Sequence, residues 1–394
     1  MTVLSEETPS KEGCFVTLKK IPKVHGRAII GVSYIQDPYS LEDYLITCAH
    51  DSLKIVKSSY FRDKSDPGSL TEKQEIKGWR SGAQDFDVTP DGAMIAVVGI
   101  DSLLHVFNLS LSDFTYNGDI FNMGFMEQWY VRISPCRTRY LTVSFSGFLS
   151  RLSLEGAADN NLSFPGARQS PDNKMIAVAN NEGIVTILNA PKLEIRFFFE
   201  AHAIKVRATC FSPSSDSLLT GSDDKIVKLY TIRIDKAQLV KSFCGHRSCI
   251  TAVKYNSRDP QMFASSSNDG SVILWSTTQD SALHVFQGAH EGVVKSLSFS
   301  IDGTHIASVG EDRAICLHRL GNQKSVAELA GSSWSTSQEL QNECSQQKDY
   351  NATIVSGNSI LRAPENRKNG DEEDEILVRA RRDLEGISDE ASPE

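Results

Sequence analysis

A single spacing recurs along this chain. An acidic or polar turn residue is followed six positions later by the end of a short β-rich run, as in SSSNDGSVILW, where Asp269 precedes Trp275. The same step leads from Asp51 to Lys57, Asp101 to Phe107, Glu182 to Leu188, Asp224 to Tyr230 and Asp312 to His318, with Ser146 to Leu152 as a degenerate seventh. Upstream, His202 and His290 stand 22 residues before their Asp and His246 stands 23 before; His25 stands 26 before because DPYSLED is inserted, and Trp79 takes the same slot ahead of Asp101. A second turn falls eleven residues before the acidic position, at Pro90, Pro135, Pro171 and Pro213, with Ile301 replacing the proline in SIDG. A length of 394 residues would otherwise suggest two or three domains. Units of roughly 40 residues, however, cannot each bury a core and must stack on their neighbours.

Within a unit, VRATCF (206–211) alternates, turns at Ser-Pro, returns as LLTGS, turns at Asp-Asp-Lys and leaves as IVKLY, which gives three strands separated by tight turns. Runs such as MIAVV (94–98) and MIAVA (175–179) are apolar almost throughout, as sheets covered on both faces require. The His, a Ser or Thr four residues before the Asp, the Asp itself and the aromatic ending the third strand are placed to form a hydrogen-bonded relay. The sets are His25, Thr47, Asp51; His202, Thr220, Asp224; His246, Ser265, Asp269; and His290, Ser308, Asp312, of which only the third adds a Trp, Trp275. This punctuation is the WD-repeat signature. It implies an all-β chain, a seven-bladed WD-repeat β-propeller with one four-stranded blade per repeat.

Ser, His and Asp together also invite a hydrolase reading. Here the set recurs at one spacing in four repeats, whereas a catalytic triad is needed once and beside an oxyanion hole, so the relay reads as structural and the protein as no enzyme. Nine His and eight Cys without ligand spacing argue against a zinc site, and no phosphate-cradling GxxxxGK[ST] loop is present, so neither metal nor cofactor is expected.

The blade cores fall at about 24–57, 78–109, 122–154, 160–190, 201–232, 245–277 and 289–320, with outer strands from the stretches ahead of each His slot, such as IRFFFEA (195–201) and LVKSFCG (239–245). The seventh blade has no following repeat to supply that strand. CFVTLKKI (14–21) can supply it and leave no open edge, in preference to KSVAELA (324–330). The resulting division is a flexible N-terminus over 1–12, a propeller over 13–322 and a disordered acidic tail over 331–394. The tail holds 14 Asp or Glu against 7 Lys or Arg and few apolar residues, so it cannot offset the entropy of ordering. Within it, DEEDEILVRARRDL (371–384) runs from acidic to basic as a helix dipole favours, although a solvated charged segment is the plainer reading.

Removing the tail's share leaves 36 acidic and 34 basic residues in 1–330, too balanced for a basic nucleic-acid footprint. MTVLSEETPSKEG does not read as a signal peptide, and no apolar run approaches a membrane span. Scattered cysteines in strand-like runs point to a reducing compartment, cytoplasm or nucleus, where the NxS/T matches at Asn108, Asn161 and Asn351 are chance.

Several phrases go beyond a generic repeat. EAHAIKVRATCFSPSSDSLLTGSDDKIVKLY, SSSNDGSVILW and SFSIDGTHIASVGEDRAICLH resemble the WD-repeat subunit of the superkiller (Ski) complex, which animals share with the Paf1 transcription-elongation complex. The odd third blade, GFMEQWYVRISPCRTRYLTVSFSG, is similar to that family's, and the resemblance covers residues 23–320. The chain departs from the family at the Trp79 slot, at NNLSFPGAR and in the acidic tail. The resemblance implies a monomeric, non-catalytic scaffold within a hetero-complex. Its implied partners are a tetratricopeptide-repeat protein and an RNA helicase subunit, or subunits of the Paf1 complex, with no direct contact to nucleic acid or membrane. Two competing readings are a cullin ubiquitin ligase receptor, for which Tyr230-Thr231-Ile232-Arg233 is a weak match to WDxR, and a histone- or peptide-reading propeller.

Loops between the second and third strands and loops leading into the first emerge on one rim of a propeller. That places Arg27, His50, Glu127, Trp129, Asn181, Lys205, Arg207, Asp223, Asn268 and Glu311 as candidate partner-binding residues around one mouth of the channel. The family resemblance supports the same face, with Trp129 as the best single anchor or else an inter-blade packing residue, and Arg207 pairing either with a partner carboxylate or with an acid of its own rim.

Overall fold

The computed structural model describes residues 15–320 apart from 59–69, 78–81, 90, 124–126, 135–136, 138, 145–147, 154–157, 164–166, 173 and 191. Trp79, Ser146, KSVAELA and the acidic tail lie outside the described residues. Among the described residues, 28 strands form seven four-stranded antiparallel sheets, and no helix is long and apolar enough to cross a membrane.

Blade one is β2 (Ile29–Gln36), β3 (Asp43–Ala49), β4 (Leu53–Ser58) and β5 (Leu70–Ile76). Blade two runs from β6 (Ala83–Val88) to β9 (Tyr116–Asn122), blade three from β10 (Gln128–Ile133) to β13 (Ala158–Ser163), and blade four from β14 (Ala167–Gln169) to β17 (Glu194–Glu200). Blade five runs from β18 (Val206–Phe211) to β21 (Ala237–Cys244), and blade six from β22 (Ile250–Tyr255) to β25 (Ala282–Phe286). Blade seven combines β26 (Val294–Phe299), β27 (His305–Gly310) and β28 (Ile315–Arg319) with β1 (Val16–Ile21), which pairs antiparallel to β28 as the outer strand. The ring therefore closes through CFVTLKKI.

Apolar packing lies between blades, because each sheet is covered on both faces. One buried cluster joins blades one and two through Ile46, Ile55, Ile95 and Phe107, and others follow around the ring. The circuit ends where Ile29, Tyr34 and Leu45 of blade one meet Val309 and Leu317 of blade seven. A fully buried Ile, Leu or Phe contributes about 1.5–3 kcal/mol, so each interface holds its blade far more firmly than the turns could.

The start of blade four corrects the sequence expectation. Residues 158–163 pair with β12 (Phe148–Ser153) as the outer strand of blade three, and the first strand of blade four is the three-residue β14, starting at Ala167 instead of near 160. NNLSFPGAR carries no His to anchor a new blade at the usual distance, and its Pro165 cannot donate to a ladder.

In six blades the first strand carries a bulge at its second residue. The register shifts between Ile29 and Gly31, Ala83 and Asp85, Gln128 and Tyr130, Val206 and Ala208, Ile250 and Ala252, and Val294 and Ser296. A bulge re-aims one side chain out of the pleat. The residues so placed are Ile30, Gln84, Trp129, Arg207, Thr251 and Lys295.

Candidate interaction face and the buried relay

Blade six holds the full relay. His246 Nδ1–H donates to Asp269 Oδ2 at 3.2 Å, the Ser265 hydroxyl donates to His246 Nε2 at 2.8 Å, and Trp275 Nε1–H donates to Ser265 Oγ at 2.8 Å. Burial alone would raise the Asp269 carboxyl, but hydrogen bonds from His246, Ser271 and the Arg247 N–H hold it well below the usual carboxylate range. The turn itself needs Gly270, whose φ of 80° is left-handed. Blade five repeats the arrangement, with His202 at 2.7 Å from both Asp224 and Thr220. There the aromatic slot is Tyr230, whose hydroxyl donates to Ala201 O at 2.8 Å.

Blade one corrects the expected set. His25 Nε2 meets Thr47 Oγ1 at 2.9 Å, but Nδ1 meets Ser52 Oγ at 3.1 Å while Asp51 Oδ1 stays 3.8 Å away. Asp51 is occupied elsewhere, its Oδ2 accepting the Gly26 N–H at 3.0 Å.

Blade seven extends the relay into the closing strand. The Thr17 hydroxyl donates to His318 Nδ1 (3.0 Å), His318 Nε2–H to Ser308 Oγ (3.0 Å), the Ser308 hydroxyl to His290 Nε2 (2.9 Å), and His290 Nδ1–H to Asp312 Oδ1 (2.9 Å). Lys20 then reaches Asp312 Oδ2 at 2.9 Å, so β1 is tied in at both ends. This single direction of donation fixes the histidine tautomers.

Thr47, Thr220, Ser265 and Ser308 are each 0% exposed, so no substrate can reach the hydroxyls that a triad would use. We expect Asp269→Ala to cost about 1–3 kcal/mol in chemical denaturation, the penalty for leaving His246 and the Arg247 N–H short of a partner. Unchanged stability would remove the relay from the account of this fold.

The nominated rim residues do gather at one end of the sheets. In four blades the turn after the second strand bonds back to the stretch leading into the first: His50 N–H to Ala28 O (3.3 Å), Asp223 N–H to Lys205 O (3.0 Å), Asn268 N–H to Cys249 O (3.0 Å) and Glu311 N–H to Val293 O (3.0 Å). Arg27, Glu127, Asn181, Arg207, Asn268 and Glu311 are exposed, whereas His50, Trp129, Lys205 and Asp223 are half-buried. His50 is held by Ala83 O of blade two at 2.7 Å.

Three of the charged candidates, Arg207, Asp223 and Glu311, already have partners within the rim. Arg207 grips Asp223 bidentately, Nε to Oδ1 and Nη2 to Oδ2, and Lys295 pairs with Glu311 at 2.7 Å. Of the two alternatives for Arg207, the structure therefore contains the pairing with its own rim acid. The bulge slot also includes Gln84, Lys295 and Thr251, which sequence reasoning passed over. The signal was present, because these three residues and Trp129 and Arg207 all stand 17 or 18 residues before their turn position.

Below the mouth, Asp85 and Asp87 of blade two face the first strand of blade three. They accept the N–H groups of Val131 (3.1 Å) and Ile133 (2.8 Å), and Asp85 also binds the buried Arg132 guanidinium. These carboxylates stitch the exposed inner edge of one blade to the next. Among the described residues, no group of His, Cys, Asp and Glu is arranged to hold a metal ion.

Comparison with known proteins identifies the class. The family "WD domain, G-beta repeat" matches residues 193–231, 237–276 and 281–319, each match running from one blade's outer strand through the first three strands of the next. The chain thus carries WD repeats on a β-propeller. It is similar to WD repeat-containing protein SL1-17 of Schistosoma mansoni, 26% identical over 62% of this chain and 81% of that protein. It is also similar to GATOR2 complex protein WDR24 of Danio rerio, 30% identical over 38% of this chain and 20% of that protein. A third relative is ribosome biogenesis protein YTM1 of Debaryomyces hansenii, 29% identical over 44% of this chain and 37% of that protein. Propellers of this class are typically non-catalytic scaffolds that bind proteins.

Proposed function

We propose that this protein is a non-catalytic scaffold subunit of a superkiller-type cytoplasmic RNA-decay complex, of the nuclear Paf1 transcription-elongation complex, or of both, and that it grips partner segments at the mouth of its propeller. The observation carrying the scaffold reading is a division of labour among polar residues. The His and the Ser or Thr of each set are buried in the relay, while the bulge residues at the mouth, Arg207 exposed and the others half-buried, stand at a rim whose turns are held by backbone hydrogen bonds. The choice of complex rests on the phrases of blades five to seven and on the degenerate third blade.

Purification of the tagged full chain from its own cells tests both levels. Recovery of a tetratricopeptide-repeat protein with an RNA helicase supports the decay complex, and recovery of Paf1-complex subunits supports the nuclear one. A cullin adaptor or histone peptides in their place would overturn the assignment. Trp129→Ala is expected to weaken capture by about tenfold without lowering the melting temperature, as removing an aromatic hot spot does. Arg207→Glu places two carboxylates together with Asp223 and should weaken capture as well. Full capture by both folded variants would remove this face from consideration.

A further inference from the structure

The stretch that leaves β1 and enters β2 crosses from blade seven to blade one and gathers positive charge. Lys23 and Arg27 stand on it and Arg313 stands on the turn between β27 and β28, and all three are exposed. Two hydrogen bonds join these segments across the seam. Val24 N–H donates to Arg313 O at 3.0 Å, and Arg313 Nη1–H donates to Gly26 O at 3.4 Å, so Arg313 touches the residues next to Lys23 and next to Arg27.

The acids nearby are engaged. Asp312 binds His290 through Oδ1 (2.9 Å), and its Oδ2 takes Lys20 (2.9 Å) and the Glu291 N–H (3.1 Å). Glu291 itself lies 3.7 Å from Lys20, Glu311 holds Lys295 at 2.7 Å, and Asp51 accepts the Gly26 N–H at 3.0 Å. Among the described residues, Lys23, Arg27 and Arg313 make no ion pair. Like charges within a Debye length of about 8–10 Å repel one another, and an anion placed among them relieves that repulsion.

The backbone carries a strained cation here. The position after the relay acid is left-handed, and Gly183 (φ 87°) and Gly270 (φ 80°) fill it in blades four and six, where a Cβ would strike the carbonyl oxygens of His202 and His290. Blades five and seven instead place Lys225 and Arg313 there, at φ 70° and 63°, and Lys23 is left-handed too, at φ 57°. Any side chain is disfavoured in that conformation, and strain of this kind gathers at positions that hold ligands.

The kind of anion follows from the hydrogen bonds already made. A phosphate group is commonly cradled by a nest of free backbone N–H groups. Here four N–H groups of the seam are taken: Val24 by Arg313 O, Gly26 by Asp51, Glu291 by Asp312 and Arg313 by Gly310 O. What remains is a set of separate side-chain cations, which suits several carboxylates spaced along a chain. The near balance of charge over residues 1–330 disfavours nucleic acid.

We infer that the seam between blades seven and one binds an acidic segment, a run of Asp and Glu on a partner protein, with Arg27 and Arg313 as the principal contacts and Lys23 beside them. The inference rests on the reading of this rim as a docking face and adds the chemistry of what docks there.

The test titrates the full chain with a short labelled peptide of alternating Glu and Ser and with its Gln counterpart. The acidic peptide should bind and the neutral one should not, with affinity falling about tenfold between roughly 50 and 300 mM salt. Arg27→Glu and Arg313→Gly should each weaken binding about threefold and together at least about tenfold. Arg233→Glu makes the same charge reversal at an exposed turn on the opposite end of the sheets and should leave it unchanged. Arg313→Gly gives blade seven the residue that blades four and six use, so its melting temperature should be no lower than wild type; a fall would assign Arg313 to the fold and overturn its role here. The proposal is also overturned if the two peptides bind alike, if Arg233→Glu weakens binding as much as Arg27→Glu, or if a phosphoserine peptide or single-stranded RNA binds more tightly than the acidic peptide. Partners of the tagged chain that are lost with Trp129→Ala but fully retained by the Arg27→Glu, Arg313→Gly double variant would reject the acidic seam and leave the reading of the mouth standing.

Discussion

Deletion of residues 1–22 should produce a propeller that is poorly soluble and melts far below the full chain. The deletion strips β28 of its outer partner along the register from Val16 opposite Arg319 to Ile21 opposite Ile315. It also removes the Thr17 hydroxyl from His318 and the Lys20 ammonium from Asp312; burial would raise the Asp312 carboxyl, but His290, Lys20 and the Glu291 N–H hold it down to about 2. Phe15, stacked on His284 at 5.4 Å, is lost as well. Several net hydrogen bonds at about 1 kcal/mol each place the cost on the order of 5 kcal/mol, and the bared strand edge invites aggregation. Adding a synthetic peptide spanning residues 13–22 should restore much of the lost melting temperature. A truncated protein as stable and soluble as the full chain would show that β1 does not close the ring.

A second large effect is expected from acid. Burial lowers the imidazole of His318 to about 3 and that of His25 to about 4, and it also lowers His202 and His290. These rings are neutral in the folded protein and gain a proton more readily when unfolded, near pH 6.5. Their contribution is therefore complete above about pH 6.5 and drains away as the pH falls from there toward the folded values. At pH 5, His318 and His25, 0% and 3% exposed, should each have lost about 2 kcal/mol. The relay aspartates titrate below this window, because Asp312 and Asp269 lie under the usual carboxylate range. The melting temperature should thus fall on the order of 5–10 °C between pH 7.5 and 5. His318→Trp puts in blade seven the indole that blade six already accommodates at Trp275, and it should remove roughly half of the loss assigned to these two rings. A melting temperature that is flat across this interval would mean that the rings are not buried neutral.

Much of the fold is legible because its information is local and periodic. The six-residue step from turn to strand end marks where each hairpin reverses, and the His slot ahead of it marks where a blade begins. The same periodicity carried the relay in blades five, six and seven, where His, hydroxyl and Asp lie within one sheet and its own turns. In blade four, NNLSFPGAR breaks the spacing, and the expected start was misplaced accordingly.

The sequence by itself thus determined the blade repeat, the identity of the closing segment and the residue types of the relay, since each follows from spacings of a few tens of residues or fewer. Which group each side chain meets was decided only by tertiary structure. Ser52 replaces Asp51 at His25, Arg207 is consumed by Asp223, and Asp85 and Asp87 bind the backbone of the next blade. Thr17 and His318 meet across a separation of 301 residues. The physical reason is that a hydrogen bond or ion pair needs its two groups within about 3–4 Å. Residues in different blades, or at opposite ends of the chain, reach that distance only once inter-blade packing has set the sheets side by side.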